Sequence, residues 1–288
     1  GGANDYSGGT LVGAGELVGS TTSLQGNITN NATLIFDESG SGTYAGDISG
    51  TGSLVKDNTG PVILTGANDQ STGGTFIIDG TLQIGNGGTT GSLDGTIDND
   101  GTLIFNRSDN LTQSGAISGS GSVSKEGAGT LTLTASNTFT GGITISNGAI
   151  SVSADNNLGA VPETPTPGSV TLNGGKLLST SGFTVNANRG VALGASGGTI
   201  EVASGQALAY GGIAAGIGAL TKSGNGTLTL SGANTFTNAT IVGAGTLQLA
   251  NASGSALGST ASVSVATNAT LLVSQSYQVN NSSASVSL

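Results

Sequence analysis

The chain has 288 residues, 53 of them glycine, and contains no Cys, Met, Trp or His. Charged residues make up 8%, against about a quarter in an average soluble domain, and the formal net charge is −10. These features exclude a His-based triad, a Cys nucleophile and the usual zinc ligand sets, and the six scattered basic residues (Lys56, Arg107, Lys125, Lys176, Arg189 and Lys222) make no patch for nucleic acid or an anionic membrane.

In chain order, the sequence opens at Gly1-Gly2-Ala3-Asn4 without the charged and apolar regions of a signal peptide. No apolar run is long enough to span a bilayer. Thr10–Val18 reads as two short alternating strands around a glycine turn, Thr33-Leu34-Ile35-Phe36 is a further strand, and Gly101-Thr102-Leu103-Ile104-Phe105 repeats the latter. Thr130-Leu131-Thr132-Leu133-Thr134 and Thr227-Leu228-Thr229-Leu230 alternate at period two, which marks strands with one buried face. Asp79-Gly80 and Asn147-Gly148 are turn dipeptides. Residues 159–168, with Pro162, Pro165 and Pro167, are expected to leave the strands as a protruding loop, because proline cannot donate to a ladder. No apolar period of 3.6 occurs, so no helix is expected. Hydrophobic residues at 35%, in alternating runs, argue against disorder.

One segment occurs three times in register. It runs from Gly52 through Lys56 and Gly60 to Asn68, from Gly121 through Lys125 and Gly129 to Asn137, and from Gly218 through Lys222 and Gly226 to Asn234. The interval from Lys to Asn is the same in all three, and Gly2-Ala3-Asn4-Asp5-Tyr6 is a truncated fourth copy. Each Asn is followed by two short alternating segments around a glycine turn, as in Thr75–Ile84 and Thr240–Leu249. Asn4, Asn68, Asn137 and Asn234 are unevenly spaced, with the last interval much the longest. That irregularity disfavours a propeller, whereas a solenoid absorbs it at its turns. The expected fold is all-β: a single-stranded, right-handed parallel β-helix running continuously through residues 1–288, with coils of roughly 18–25 residues.

The motif from Gly226 to Leu249, with Asn234, Phe236 and the Gly-Ala-Gly turn at 243–245, resembles the passenger-associated β-strand repeat of bacterial autotransporters. Gly129–Ser151, Gly60–Ile84, Asn157-Leu158-Gly159 and Ala256-Leu257-Gly258 are similar to it. The resemblance implies an extracellular β-helix passenger at the bacterial surface, attached through a C-terminal outer-membrane β-barrel outside this chain. It also implies a structural or adhesive role, with a surface glycan, a surface protein or another copy as partner. The end at Ser285–Leu288 reads as mid-strand, so a fragment of a longer passenger is expected. Two alternatives stay open: a polysaccharide-acting β-helix enzyme and a self-assembling extracellular fibre subunit.

No cofactor is expected, because titratable groups do not converge. Asp98 and Asp100, two apart and so on one strand face, are a candidate Ca²⁺ site, set against simple turn chemistry. Lys56, Lys125 and Lys222 read either as a basic stripe or, preferably, as gatekeepers on an exposed strand or turn, neutralised in two copies by Asp57 and Glu126. Asn4, Asn68, Asn137 and Asn234 are expected at turns, bonding between coils. Tyr6, Phe139 and Phe236, two residues after an Asn, are expected to pack at a corner.

Overall fold

A computed structural model describes residues 8–68, 73–279 and 285–287. Among them every paired strand is parallel to its neighbour, and the chain winds as a β-solenoid of about 13 turns. It divides into two compact units, Gly1–Gly141 and Gly142–Leu288. The helical content among the described residues is one 3-10 turn, Asp155–Leu158.

In the first unit, Thr33–Asp37 pairs with Glu16–Gly19 on one side and Ser53–Asp57 on the other. Thr75–Ile77, Ile97–Asn99 and Ile117–Ser118 extend the same sheet. A second sheet stacks Gly42–Tyr44, Val62–Leu64, Thr81–Ile84, Thr102–Phe105 and Ser122–Lys125. Each rung is one coil further along the chain: Glu16 lies opposite Thr33, and Thr33 opposite Ser53.

Alternation decides what each strand buries. In Ser53–Asp57, Leu54 and Lys56 point inward and Ser53, Val55 and Asp57 point outward. Parallel pairing then puts like positions above one another, so the core is a set of columns. One reads Tyr44, Leu64, Ile84, Phe105 and Lys125. Each fully buried aliphatic or aromatic side chain contributes roughly 1.5–3 kcal/mol, and the column adds one per turn.

The second unit has the same construction. Ile150, Leu177, Ile200, Lys222 and Val242 form a buried column through Ala149–Val152, Lys176–Ser179, Gly198–Val202, Leu220–Ser223 and Thr240–Val242. The register step is wider where Ile143 meets Val170, because the proline-rich segment is inserted there. That insertion ends earlier than the sequence indicates. The strand Thr166–Leu172 begins inside the expected loop, with Thr166 opposite Arg189 and a register shift before Val170.

The sequence repeat has a structural meaning. Ser53–Asp57 and Val62–Leu64 are covered by Thr75–Ile77 and Thr81–Ile84 of the same copy. Leu220–Ser223 and Thr227–Leu230 are covered likewise by Thr240–Val242 and Thr246–Leu249. Each copy is a coil stacked on its own continuation. Close stacking at the turns explains the glycine content: a Cβ at Gly66 would overlap the carbonyl oxygen of Gly46 in the turn beneath it. At Asp79-Gly80 the glycine takes φ 69°, the left-handed region that a turn of this kind demands, and its N–H donates to Asp79 Oδ1 at 2.6 Å.

Candidate functional site

The recurrent lysines are interior residues, which corrects the exposed-gatekeeper reading. Lys56, Lys125 and Lys222 are 0%, 2% and 0% exposed. Inward alternation puts them in the core columns, and the ammonium reaches the end of the strand to meet turn carbonyls. Lys56 Nζ donates to Asp57 O at 2.7 Å and to Asp79 O, one coil on, at 3.1 Å. Lys222 Nζ donates to Ser223 O and Gly224 O, both at 2.7 Å, and to Ala244 O at 3.1 Å. Lys125 Nζ donates to Gly127 O. The lysine is therefore a clamp on turn carbonyls, and in two copies it joins successive coils. Burial draws the Lys125 and Lys222 ammoniums down to about 8, with Glu201 opposing the fall at Lys222. Burial lowers Lys56 as well, against the raising fields of Asp79, Asp57, Glu38 and Asp37. Nor do the lysines form a stripe in the first unit, because Lys56 and Lys125 lie in different sheets. The interval between those two is no whole number of coils.

The recurrent asparagines are buried too: Asn68, Asn137 and Asn234 are at most 3% exposed. Asn234 Oδ1 accepts from Ala214 N at 2.7 Å, and its Nδ2 donates to Ala256 O at 2.8 Å. Asn137 Oδ1 accepts from Ile117 N at 2.8 Å, and Asn68 Nδ2 donates to Ser92 O at 2.8 Å. The bonds run between coils, but to backbone, not from amide to amide. Phe139 and Phe236 are each 1% exposed. Asn4 and Tyr6 lie outside the described residues.

Asp98 and Asp100 are exposed on one face of the first unit. Each carboxylate meets a serine one coil on. Asp98 Oδ1 accepts from Ser118 Oγ at 2.9 Å, and Asp100 Oδ1 accepts from Ser120 N and Oγ, both at 2.8 Å. The Ser120 N–H, then its hydroxyl, hold the Asp100 carboxyl below its usual value. Arg107 pairs with Asp109 at 2.7 Å and not with either of them. Among the described residues no three His, Cys, Asp or Glu side chains converge as a metal site would require.

Two features escaped sequence reading. Arg189, 1% exposed, fixes the inserted segment. Its Nε donates to Asp155 Oδ1 at 3.1 Å, and its terminal nitrogens donate to the carbonyls of Leu158, Gly159 and Ala160. Asn188 Nδ2 adds bonds to Pro162 O and Glu163 O, both at 3.0 Å. Beside this segment an apolar cleft of about 270 Å³ is lined by Pro165, Pro167, Ala187, Gly212 and Ile213. Nothing local in the sequence signals the pairing of Arg189 with Asp155, which lies more than a coil earlier in the chain.

The second is an outward face of the first unit. Val18, Ile35, Val55 and Phe76 sit opposite one another on successive strands, and the row continues as Asp98 and Ser118. Val18 is 53% and Phe76 37% exposed. Alongside, Asp37 faces Asp57, and Ile78, 55% exposed, and Asp100 occupy the following coils.

A parallel solenoid whose recurrent residues clamp coil to coil belongs to the class of β-solenoid repeat proteins. Residues 1–18, 54–84, 123–152 and 220–249 match the passenger-associated-transport-repeat family. Residues 54–84 and 220–249 are the self-stacking copies described above, and the matches support an autotransporter passenger segment bearing such repeats. An alignment of 152 positions that covers 43% of the chain is 36% identical to the adhesin BmaC autotransporter of Brucella suis biovar 1 (strain 1330). The chain spans 4% of that protein's length. No solved structure matches. No helix among the described residues is long and apolar enough to cross a membrane.

Proposed function

We propose that the chain works as a non-enzymatic passenger stalk displayed at the bacterial surface, with an adhesive role towards a surface glycan, a surface protein or another copy. The observation that carries this reading is the repeat-built parallel solenoid, matched to the transport-repeat family and 36% identical over part of its length to an adhesin autotransporter. Support comes also from Asp98 and Asp100, which lie on one outward face, accept from serines one coil on and have no basic partner for general acid–base chemistry. Turns clamped by Lys56, Lys222, Asn137 and Asn234 suit a rigid element that presents long faces.

Bacteria displaying residues 1–288 on a heterologous anchor test the reading. Increased attachment to host cells, or autoaggregation, relative to the anchor alone is the expected result. Unchanged attachment and aggregation overturn the adhesive role. Turnover of acidic or neutral glycans by the purified chain, abolished by Asp98→Asn and Asp100→Asn, would replace it with the enzyme reading. Concentration-dependent filaments under the electron microscope would replace it with the fibre reading.

A further inference from the structure

The charge of the chain is divided unequally. After residue 141 the only carboxylates are Asp155, Glu163 and Glu201, balanced by Lys176, Arg189 and Lys222, so the whole net charge of −10 belongs to residues 1–141. The first unit also hides its cations. Lys56 and Lys125 are buried, and Arg107 is paired with Asp109.

The outward face of the first unit concentrates this imbalance beside an apolar row. Four consecutive rungs, Val18, Ile35, Val55 and Phe76, are apolar and at least partly exposed. Ile78 adds to them. Glu16, Asp37, Asp57, Asp79, Asp98 and Asp100 surround them and are all exposed. Lys56, the one cation of these strands, points into the core. An apolar stripe on a strand face normally ends up against something.

We propose that this face docks a cationic amphipathic polypeptide of a partner protein. The row supplies the apolar contact, and the flanking carboxylates receive the Lys or Arg residues that border the partner's apolar stripe. Charge complementarity selects this occupant. A second copy would bring another acidic face against it, and like-charge contact opposes association. Spacing favours a helix. Rungs about 4.8 Å apart lie close to the 5.4 Å pitch of an α-helix, so four rungs take about three helical turns with a mismatch of under about 2 Å. Phe76 is the natural anchor, being the aromatic of the row and flanked by Asp98.

The proposal rests on the adhesive reading above and names the partner chemistry for it. The test uses the full chain and a fluorescein-labelled peptide of about 14 residues, Leu on one helical face and Lys on the other. Three controls accompany it: the same composition scrambled, a Leu/Glu version, and the assay repeated in 0.5 M NaCl. The Leu/Lys peptide is expected to bind at least about tenfold tighter than the scrambled one, and to weaken in salt. Phe76→Ser should weaken it about tenfold, and the triple change Asp57→Asn, Asp98→Asn, Asp100→Asn should remove most of the salt dependence. All replaced side chains point outward, and far-UV circular dichroism checks that the fold is kept. Equal binding of the scrambled or acidic peptide, or indifference to both variants, overturns the proposal. So does a dimer in sedimentation that Phe76→Ser dissolves, since the occupant is then a second copy. Display cells separate the two readings. Attachment retained by Phe76→Ser cells overturns the proposal while the adhesive role stands, and peptide selectivity without any attachment by wild-type cells removes the adhesive role alone.

Discussion

Lys222 shows how little a side chain's type says about its place until its neighbours are known. Its aliphatic stem fills a column between Ile200 and Val242, and its ammonium satisfies three turn carbonyls. Lys222→Met keeps the stem and leaves those carbonyls without their donor. It should cost about 1–3 kcal/mol near neutral pH, read from chemical denaturation. The folded ammonium titrates at about 8 and a free lysine at about 10.4. Between those values the unfolded chain holds the extra proton, so the unfavourable burial of charge, fully present below pH 8, is relieved as pH rises. The stability gap between wild type and Lys222→Met should therefore widen from pH 8 to 10; a constant gap would contradict the assignment. Asn234→Ala removes the acceptor of Ala214 N and the donor of Ala256 O in one step. It should cost a similar amount, about 1–3 kcal/mol, with loss of hydrogen-exchange protection at the Ala214 amide.

At the scale of elements, the repeat copy and the inserted segment behave oppositely. A copy such as 220–249 lays its second coil on its first, so its apolar alternation is satisfied within about 30 residues. The segment 159–165 has no strand partner and is held by side chains from later in the chain, Arg189 and Asn188. Arg189→Met should release it. Limited proteolysis should then cut near Glu163, while wild type resists and the strands elsewhere keep their exchange protection. Cleavage at equal rates in both proteins would show that the proline-rich sequence alone sets its conformation.

For the molecule as a whole, the division of charge predicts different responses to salt. Asp37 and Asp57 face each other on adjacent strands, and residues 1–141 hold all of the net charge. Raising NaCl from 10 to 500 mM should slow amide exchange throughout the first unit and leave the second unit little changed, because screening acts on the unit with unbalanced charge. Equal slowing in both units would mean that general salting-out, not charge repulsion, governs stability.

Fold class was legible because its determinants are periodic. Alternation at Thr130–Thr134 and Thr227–Leu230, the repeated Lys-to-Asn interval and the turn at Asp79-Gly80 each act within a short stretch of chain. Together they favour stacked strands over a propeller of uniform blades. The sequence also marked Lys56, Lys125, Lys222 and the recurrent Asn and Phe as repeat positions, a regularity that packing suffices to explain. Tertiary structure alone decided what those residues touch. Lys56 reads as a surface charge beside Asp57, yet a strand's alternation turns it inward and Asp79, one coil later, completes its shell. The amphipathic face at Val18, Ile35, Val55 and Phe76 is likewise absent from any local window. Its members are separated by whole coils of varying length, and only the pairing register brings them into one row. Arg189 and Asp155 meet for the same reason. Periodicity is written along the chain, whereas adjacency between coils depends on how many residues each turn consumes.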